Sequence, residues 1–157
     1  MVEEIKPSIF DTLPPLPSPA TINALWFPMI FQGIKFMGRM QVEEGTYFVK
    51  ETTITSDIIR GEIRFYRGAH KRAPLFPGDA YMYYDIDAIE GRIVDIVVQP
   101  ALRRHRFAET LVKLAEARMK QHYVELVYGT SLEGALDFWR AIGYTVGRKN
   151  RVFKELL

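Results

Sequence analysis

The feature that most constrains this fold is a change of period between Val98 and Phe107. Arg92–Val98 (RIVDIVV) is rich in β-branched residues and reads as a strand. Phe107, Ala108, Leu111, Ala115 and Met119 then recur at helical spacing, with Glu109, Lys113, Glu116 and Lys120 on other faces. That pattern predicts an amphipathic helix of about four turns. Tyr123–Tyr128 reads as a strand, and Ser131–Ile142 as a second helix, with Thr130 or Ser131 as its cap and Gly143 as its stop. Tyr144–Gly147 and Val152–Leu156 read as short terminal strands. From Arg92 the order is therefore strand, helix, strand, helix, strand, strand. A helix start presents N–H groups with no intrahelical partner and a partial positive charge, a combination that holds phosphate or pyrophosphate. The loop before the first helix adds Arg103, Arg104 and Arg106.

Upstream, Thr46–Thr53 and Gly61–Arg67 read as strands, and Tyr81–Asp87 pairs with Arg92–Val98 as a hairpin around Glu90-Gly91. Arg67 to Asp79 contains His70, Lys71, Arg72, Pro74, Pro77 and Gly78 and reads as a loop. Residues 1–20 carry five prolines, which predicts an extended arm, and Ser18 or Thr21 is positioned to cap a short helix through Trp26. The whole chain reads as a single domain, 1–157.

Composition excludes several chemistries. With no cysteine among 157 residues there are no disulfides, thiolate nucleophiles or Cys-based zinc sites. His70, His105 and His122 show no metal-ligand spacing, so no metal is expected. No apolar run reaches the ~20 residues that span a bilayer. The acidic start (Met1, Val2, Glu3, Glu4) does not resemble a targeting peptide, which points to the cytoplasm. Charge is uneven: residues 1–98 hold 10 Lys+Arg and 13 Asp+Glu, residues 99–157 hold 11 and 6. The basic half favours an anionic ligand, the acidic half a cationic one, and a net charge of only +2 argues against nucleic acid.

Residues 98–108 read V-Q-P-A-L-R-R-H-R-F-A, which resembles the Val-x-Pro-x-x-[Arg/Gln]-x-x-Gly-x-[Gly/Ala] of the GNAT acetyltransferase family, with Val98, Pro100, Arg103 and Ala108 in register and Arg106 in place of the glycine. Residues 135–144, A-L-D-F-W-R-A-I-G-Y, are similar to its Ala-x-x-hydrophobic-Tyr-x-x-x-Gly-Phe, with Ala135, Phe138, Gly143 and Tyr144 matching. The resemblance covers residues 80–157, an acetyl-CoA-binding core, and leaves 21–79 as a divergent substrate-side part.

The resemblance implies an α/β (α+β) fold: a mixed central sheet flanked by helices, with antiparallel N-terminal strands and a splayed parallel pair at the acetyl-CoA site. It implies an N-acetyltransferase that moves an acetyl group from acetyl-CoA to a primary amine by direct transfer in a ternary complex. The acceptor would be a small molecule or a protein, and the enzyme a possible homodimer. Pantetheine would pair with Ile96, Val97 and Val98, and pyrophosphate would sit on Arg103, Arg104, His105, Arg106, Phe107 and Ala108. Ser131 and Trp139 would also face the cofactor. The base would be Glu90 or Asp95. The family's acidic tyrosine falls on Trp139, whose indole donates a hydrogen bond but not a proton, so Tyr144, Tyr128 or Tyr83 would act instead. The family's asparagine falls on Leu132. These departures define the alternative: a catalytically degenerate GNAT fold that serves as a binding or interaction protein.

Overall fold

Alternation of apolar residues organises the sheet. The computed structural model describes residues 34–55, 57–103 and 106–156. The proline arm, the short helix through Trp26, Arg104 and His105 lie outside the described residues. Eight strands form one sheet: β1 (Ile34–Gln41), β2 (Gly45–Thr53), β3 (Ile58–Arg67), β4 (Ala80–Asp87), β5 (Glu90–Val98), β6 (Leu126–Thr130), β7 (Thr145–Val146) and β8 (Arg151–Glu155). Their spatial order is β1-β2-β3-β4-β5-β6-β8-β7. All neighbours pair antiparallel except β5 and β6, which are parallel. Helix α1 (Phe107–Gln121) crosses over between those two, and α2 (Leu136–Ala141) precedes β7. This is the mixed sheet with one parallel pair that the family resemblance implied.

The core sits between α1 and one face of the sheet. Tyr47, Val49, Ile63, Phe65, Met82, Tyr84 and Ile86 alternate along their strands and are buried, as a period of two requires. Phe107, Leu111, Leu114 and Ala115 of α1 are buried too, and the Phe65 and Phe107 rings meet at 4.5 Å.

One carboxylate is fully enclosed in this core. Glu51 of β2 has no exposed surface. It accepts hydrogen bonds from the Tyr84 hydroxyl at 2.5 Å, Arg118 Nε at 3.1 Å and Arg118 Nη2 at 3.0 Å, and lies 2.9 Å from His122 Nε2. The Arg118 guanidinium stacks 3.6 Å above the Phe36 ring. Burial alone would raise the Glu51 pKa; the His122 and Arg118 hydrogen bonds, the Arg118 charge and Tyr84 outweigh it and hold the carboxyl at about 2. The cluster ties β1, β2, β4 and the end of α1 together.

Several boundaries differ from the sequence reading. Strand β1, Ile34–Gln41, was not expected, because Gly38 and the paired cations Lys35 and Arg39 break its apolar pattern. The β4–β5 hairpin turns at Ala88 and Ile89, with Ala88 at φ 53°, and not at Glu90-Gly91, which already pair with Asp87 and Ile86. Strand β6 starts at Leu126 because Tyr123, at φ 62°, still belongs to the turn out of α1. The expected helix over Ser131–Ile142 is a 3-10 turn at Glu133–Ala135 followed by the short α2. Ser131 does not cap it: its hydroxyl donates to the Leu132 carbonyl at 2.6 Å. Gly143, at φ 97°, does end it, and Tyr144 N–H reaches back to the Trp139 carbonyl at 2.9 Å.

Candidate active site

The parallel ladder between β5 and β6 runs only from Glu90–Leu126 to Ile93–Gly129. On the other side of β5, Tyr83 pairs with Asp95 and Tyr84 with Ile93, so Val94 is an extra residue and forms a β-bulge. A bulge bends its strand and increases local twist. From there β5 turns away, while β6 continues with β8 to Thr130–Arg151. The strands part into a cleft of about 230 Å³ lined by Ile93–Val97, Gly129–Leu132 and Trp139. In this gap the β6-facing backbone of β5 is left outside the ladder, a strand edge that an extended amide-bearing chain completes.

The bulge decides the fate of Asp95. A carboxylate within RIVDIVV has two readings, pairing with Arg92 or an arginine of a neighbouring strand, or service as the base. It is exposed, lines the cleft, and is in no ion pair among the described residues. Arg92 is exposed and pairs in the ladder with Asp85, a partner position removed from Asp95 by the bulge. Ile96 and Val97 line the cleft, and Val98 is buried beside it. Glu90 is exposed at the far, hairpin end of β5 and is not among the lining residues.

Ser131, buried, and the exposed Leu132 form the cleft's second wall, with Ser131 N–H donating to the Asn150 carbonyl at 2.8 Å. Trp139 closes one side. It is 3% exposed, and its indole Nε1 is buried without a hydrogen-bond partner among the described residues. A buried donor left unpaired costs about 1–3 kcal/mol, so a ligand that accepts from it gains that amount back. Tyr144 stands elsewhere. Its ring packs against Trp139 at 5.0 Å, but its hydroxyl donates to Glu116 of α1 at 2.7 Å. Burial and then the Glu116 charge push its pKa well above the ordinary tyrosine value. Lys154 completes that contact, 3.2 Å from Glu116, and burial lowers its pKa. The structure thus brings Asp95, Ile96, Val97, Ser131 and Trp139 to one cleft and leaves Glu90 and Tyr144 outside it.

The loop after β5 makes a 3-10 turn at Pro100–Leu102, and Arg103 Nε donates to the Val98 carbonyl at 3.3 Å. Arg106, standing where the resembled motif has glycine, is the residue before α1 and adopts φ 63°, ψ 17°. The left-handed backbone that glycine takes at no cost is therefore kept, at a strain of about 1 kcal/mol or more for arginine. The side chain bonds Glu109 in the first turn, Nε at 3.0 Å and Nη2 at 3.2 Å. Phe107 and Ala108 present their N–H groups at the helix start while their side chains are buried in the core. Sequence reasoning missed two things here. Gly129 enters the cleft only because β6 ends beside it. The Glu109 partner of Arg106 was legible as an i, i+3 pair.

The family model described as acetyltransferase (GNAT) family matches residues 40–144. The chain belongs to the GNAT acetyltransferase family. The match extends upstream of the two motifs, into strands of the half whose sequence had not resembled the family. Acyl transfer, with acetyl-CoA as the family's donor, comes with that membership. Among solved structures, an acetyltransferase from Bacillus cereus ATCC 14579 is similar at TM-score 0.50 and 14% identity, over 62% of this chain and 74% of that one. The PaiA N-acetyltransferase from Thermoplasma acidophilum, in complex with coenzyme A, is similar at 0.47 and 14%, over 63% and 60%. Nourseothricin acetyltransferase is similar at 0.48 and 10%, over 90% and 96%. No curated protein sequence matches the chain. Among the described residues, no helix is long and apolar enough to cross a membrane, and no group of three or more His, Cys, Asp or Glu is placed to hold a metal ion.

Proposed function

We propose that this GNAT protein transfers an acetyl group from acetyl-CoA to a primary amine directly, within a ternary complex, at the cleft between β5 and β6. The observation that carries this reading is the bulge at Val94, which opens the cleft and leaves Asp95 exposed within it. Ile96 and Val97 offer backbone amides to the pantetheine arm, and the first turn of α1 offers N–H groups to the diphosphate. In the transfer, the neutral amine nitrogen attacks the thioester carbonyl carbon; the C–N bond forms, the C–S bond breaks, and CoA leaves as the thiolate. Asp95 takes the proton the amine must lose, directly or through one water. Trp139 N–H supplies a hydrogen bond to a ligand oxygen or sulfur, without giving up its proton. Tyr144 is committed to Glu116 and neither Tyr128 nor Tyr83 is among the described residues that line the cleft, so the thiolate leaves without a proton from a tyrosine.

Calorimetric titration with acetyl-CoA, together with release of CoA thiol in the presence of an amine panel, tests the reading. Micromolar binding and turnover are expected. Asp95→Asn is expected to lower kcat by a factor of about 100 or more, with acetyl-CoA affinity unchanged. Absence of binding at millimolar acetyl-CoA would overturn the reading and leave a GNAT fold that serves as a binding protein.

A further inference from the structure

Residues directly opposite each other on paired strands share a face of the sheet. The observed registers therefore align two rows across five strands. Met37, Lys50, Glu62, Tyr83 and Asp95 form one; Arg39, Phe48, Arg64, Tyr81 and Val97 form the other. Both lie on the face opposite the one α1 covers, because their neighbours Val49, Ile63 and Met82 are the residues buried in the α1 core. The rows end at β5 in Asp95 and Val97, which line the acetyl-transfer cleft.

At their other end the rows floor a second cavity, of about 750 Å³, over β1–β3. Among the described residues its lining contains Arg39, Lys50, Arg64, Lys71 and Arg72 and one carboxylate, Glu62. Glu62 lies 3.5 Å from Lys50 and 3.3 Å from Arg64, so it offsets part of that charge. Lys71 and Arg72 come from the β3–β4 loop and are exposed. Met37, Phe48 and Ala73 supply apolar wall. The volume is that of a small-molecule site, and a mainly apolar wall with converging charges is how such sites orient a ligand. Between the two cavities lie the rings of Tyr81 and Tyr83, packed edge to face at 5.8 Å. Strands are spaced ~4.8 Å apart, so Arg64 and Val97, two strands apart, have backbones separated by about 10 Å.

We infer that the acetyl acceptor is a small amine carrying an anionic group, a carboxylate or a phosphate. The anion sits in the cationic cavity, and the amine reaches over Tyr81 and Tyr83 to Asp95. The inference rests on the transferase reading above for the identity of the amine as acceptor. It reverses the preference for a cationic acceptor drawn from the acidic charge of residues 1–98. Part of that acidity lies elsewhere: Glu51 is spent in the core on Arg118, and Asp85 is bound at 2.7 Å to Arg60.

The test is calorimetric titration of the full chain with 6-aminohexanoate, O-phosphoethanolamine, glutamyl-glutamate, spermidine and lysyl-lysine, and separately with acetyl-CoA. The acidic amines are expected to bind, more weakly as salt rises, and the 6-aminohexanoate and phosphoethanolamine arms distinguish carboxylate from phosphate. The double variant Lys71→Ala, Arg72→Ala, at two exposed loop positions, is expected to weaken their binding about tenfold with acetyl-CoA affinity unchanged. Arg140→Ala, on the exposed side of α2, is expected to change neither. Tighter binding of spermidine or lysyl-lysine, no binding of any acidic amine, or a loss within about twofold in the double variant overturns the inference. If acetyl-CoA binds while the acidic amines do not, this inference fails and the transferase reading stands. If the acidic amines bind and acetyl-CoA does not, the transferase reading fails and the anionic site stands.

Discussion

Glu51→Gln removes one charge from the interior and nothing else of comparable size. In the wild type the carboxylate has no exposed surface and meets Arg118 twice, Tyr84 and His122. The amide keeps the shape but leaves Arg118, 9% exposed at its side chain, with an uncompensated charge. Breaking a buried pair on one side costs about 3–5 kcal/mol. The titration of Glu51 provides a second route to the magnitude. Its carboxyl is held at about 2 against an ordinary 4.5, which corresponds to about 3 kcal/mol at neutral pH. The folded-state pKa is depressed, so this stabilisation is present in full above pH 4.5 and is lost as pH falls through about 2. Urea denaturation at about pH 7 and about pH 3 reads both. The variant is expected to lose about 3 kcal/mol or more at the higher pH, a drop in Tm of roughly 10 °C for a chain of this size. The wild type is expected to surrender about 2 kcal/mol of its advantage at the lower pH. A loss below about 1 kcal/mol at neutral pH, or a gap that does not narrow in acid, would refute the reasoning.

Three further outcomes are expected. Arg106→Gly relieves the left-handed backbone but strands Glu109, 7% exposed, at the start of α1, so acetyl-CoA affinity is expected to fall about tenfold and to return when Glu109→Gln is added. Tighter binding by Arg106→Gly alone would refute the pairing argument. Trp139→Phe deletes a buried donor that has no partner among the described residues, so folding stability is expected to hold within about 1 kcal/mol while acetyl-CoA binding weakens by roughly five- to tenfold; unfolding curves and calorimetry separate the two. In Gly61→Ala, a Cβ would come within 2.0 Å of the Tyr84 ring, which is fully buried and bonded to Glu51. The ring has no room to yield, and a loss of about 3 kcal/mol is expected in thermal or urea melts.

The candidate site was half legible before the fold was known. Val98, Pro100, Arg103 and Ala108 marked the strand-to-helix junction, and Ala135, Phe138, Gly143 and Tyr144 marked the second helix, because junctions and caps are built from local residue types. Asp95 was legible as a candidate base, but its exposure in the cleft was not. In a regular strand its neighbours would have buried or paired it, and only the extra residue at Val94 turns it into the cleft. Tyr144 had the right residue type in a plausible place, but its hydroxyl points at Glu116, twenty-eight residues earlier in the chain.

By itself the sequence determined the alternation that makes the strands, the helical period of α1, the stop at Gly143 and the absence of cysteine chemistry. Each of these is a property of neighbouring residues, and local sterics and solvent transfer decide them. The tertiary structure alone decided where the parallel pair parts, which carboxylates are buried on cations and which stay open, and how the basic residues of three strands and a loop come to face one cavity. Those depend on register between distant segments, and a register of period two moves every side chain to the other face with a single-residue shift.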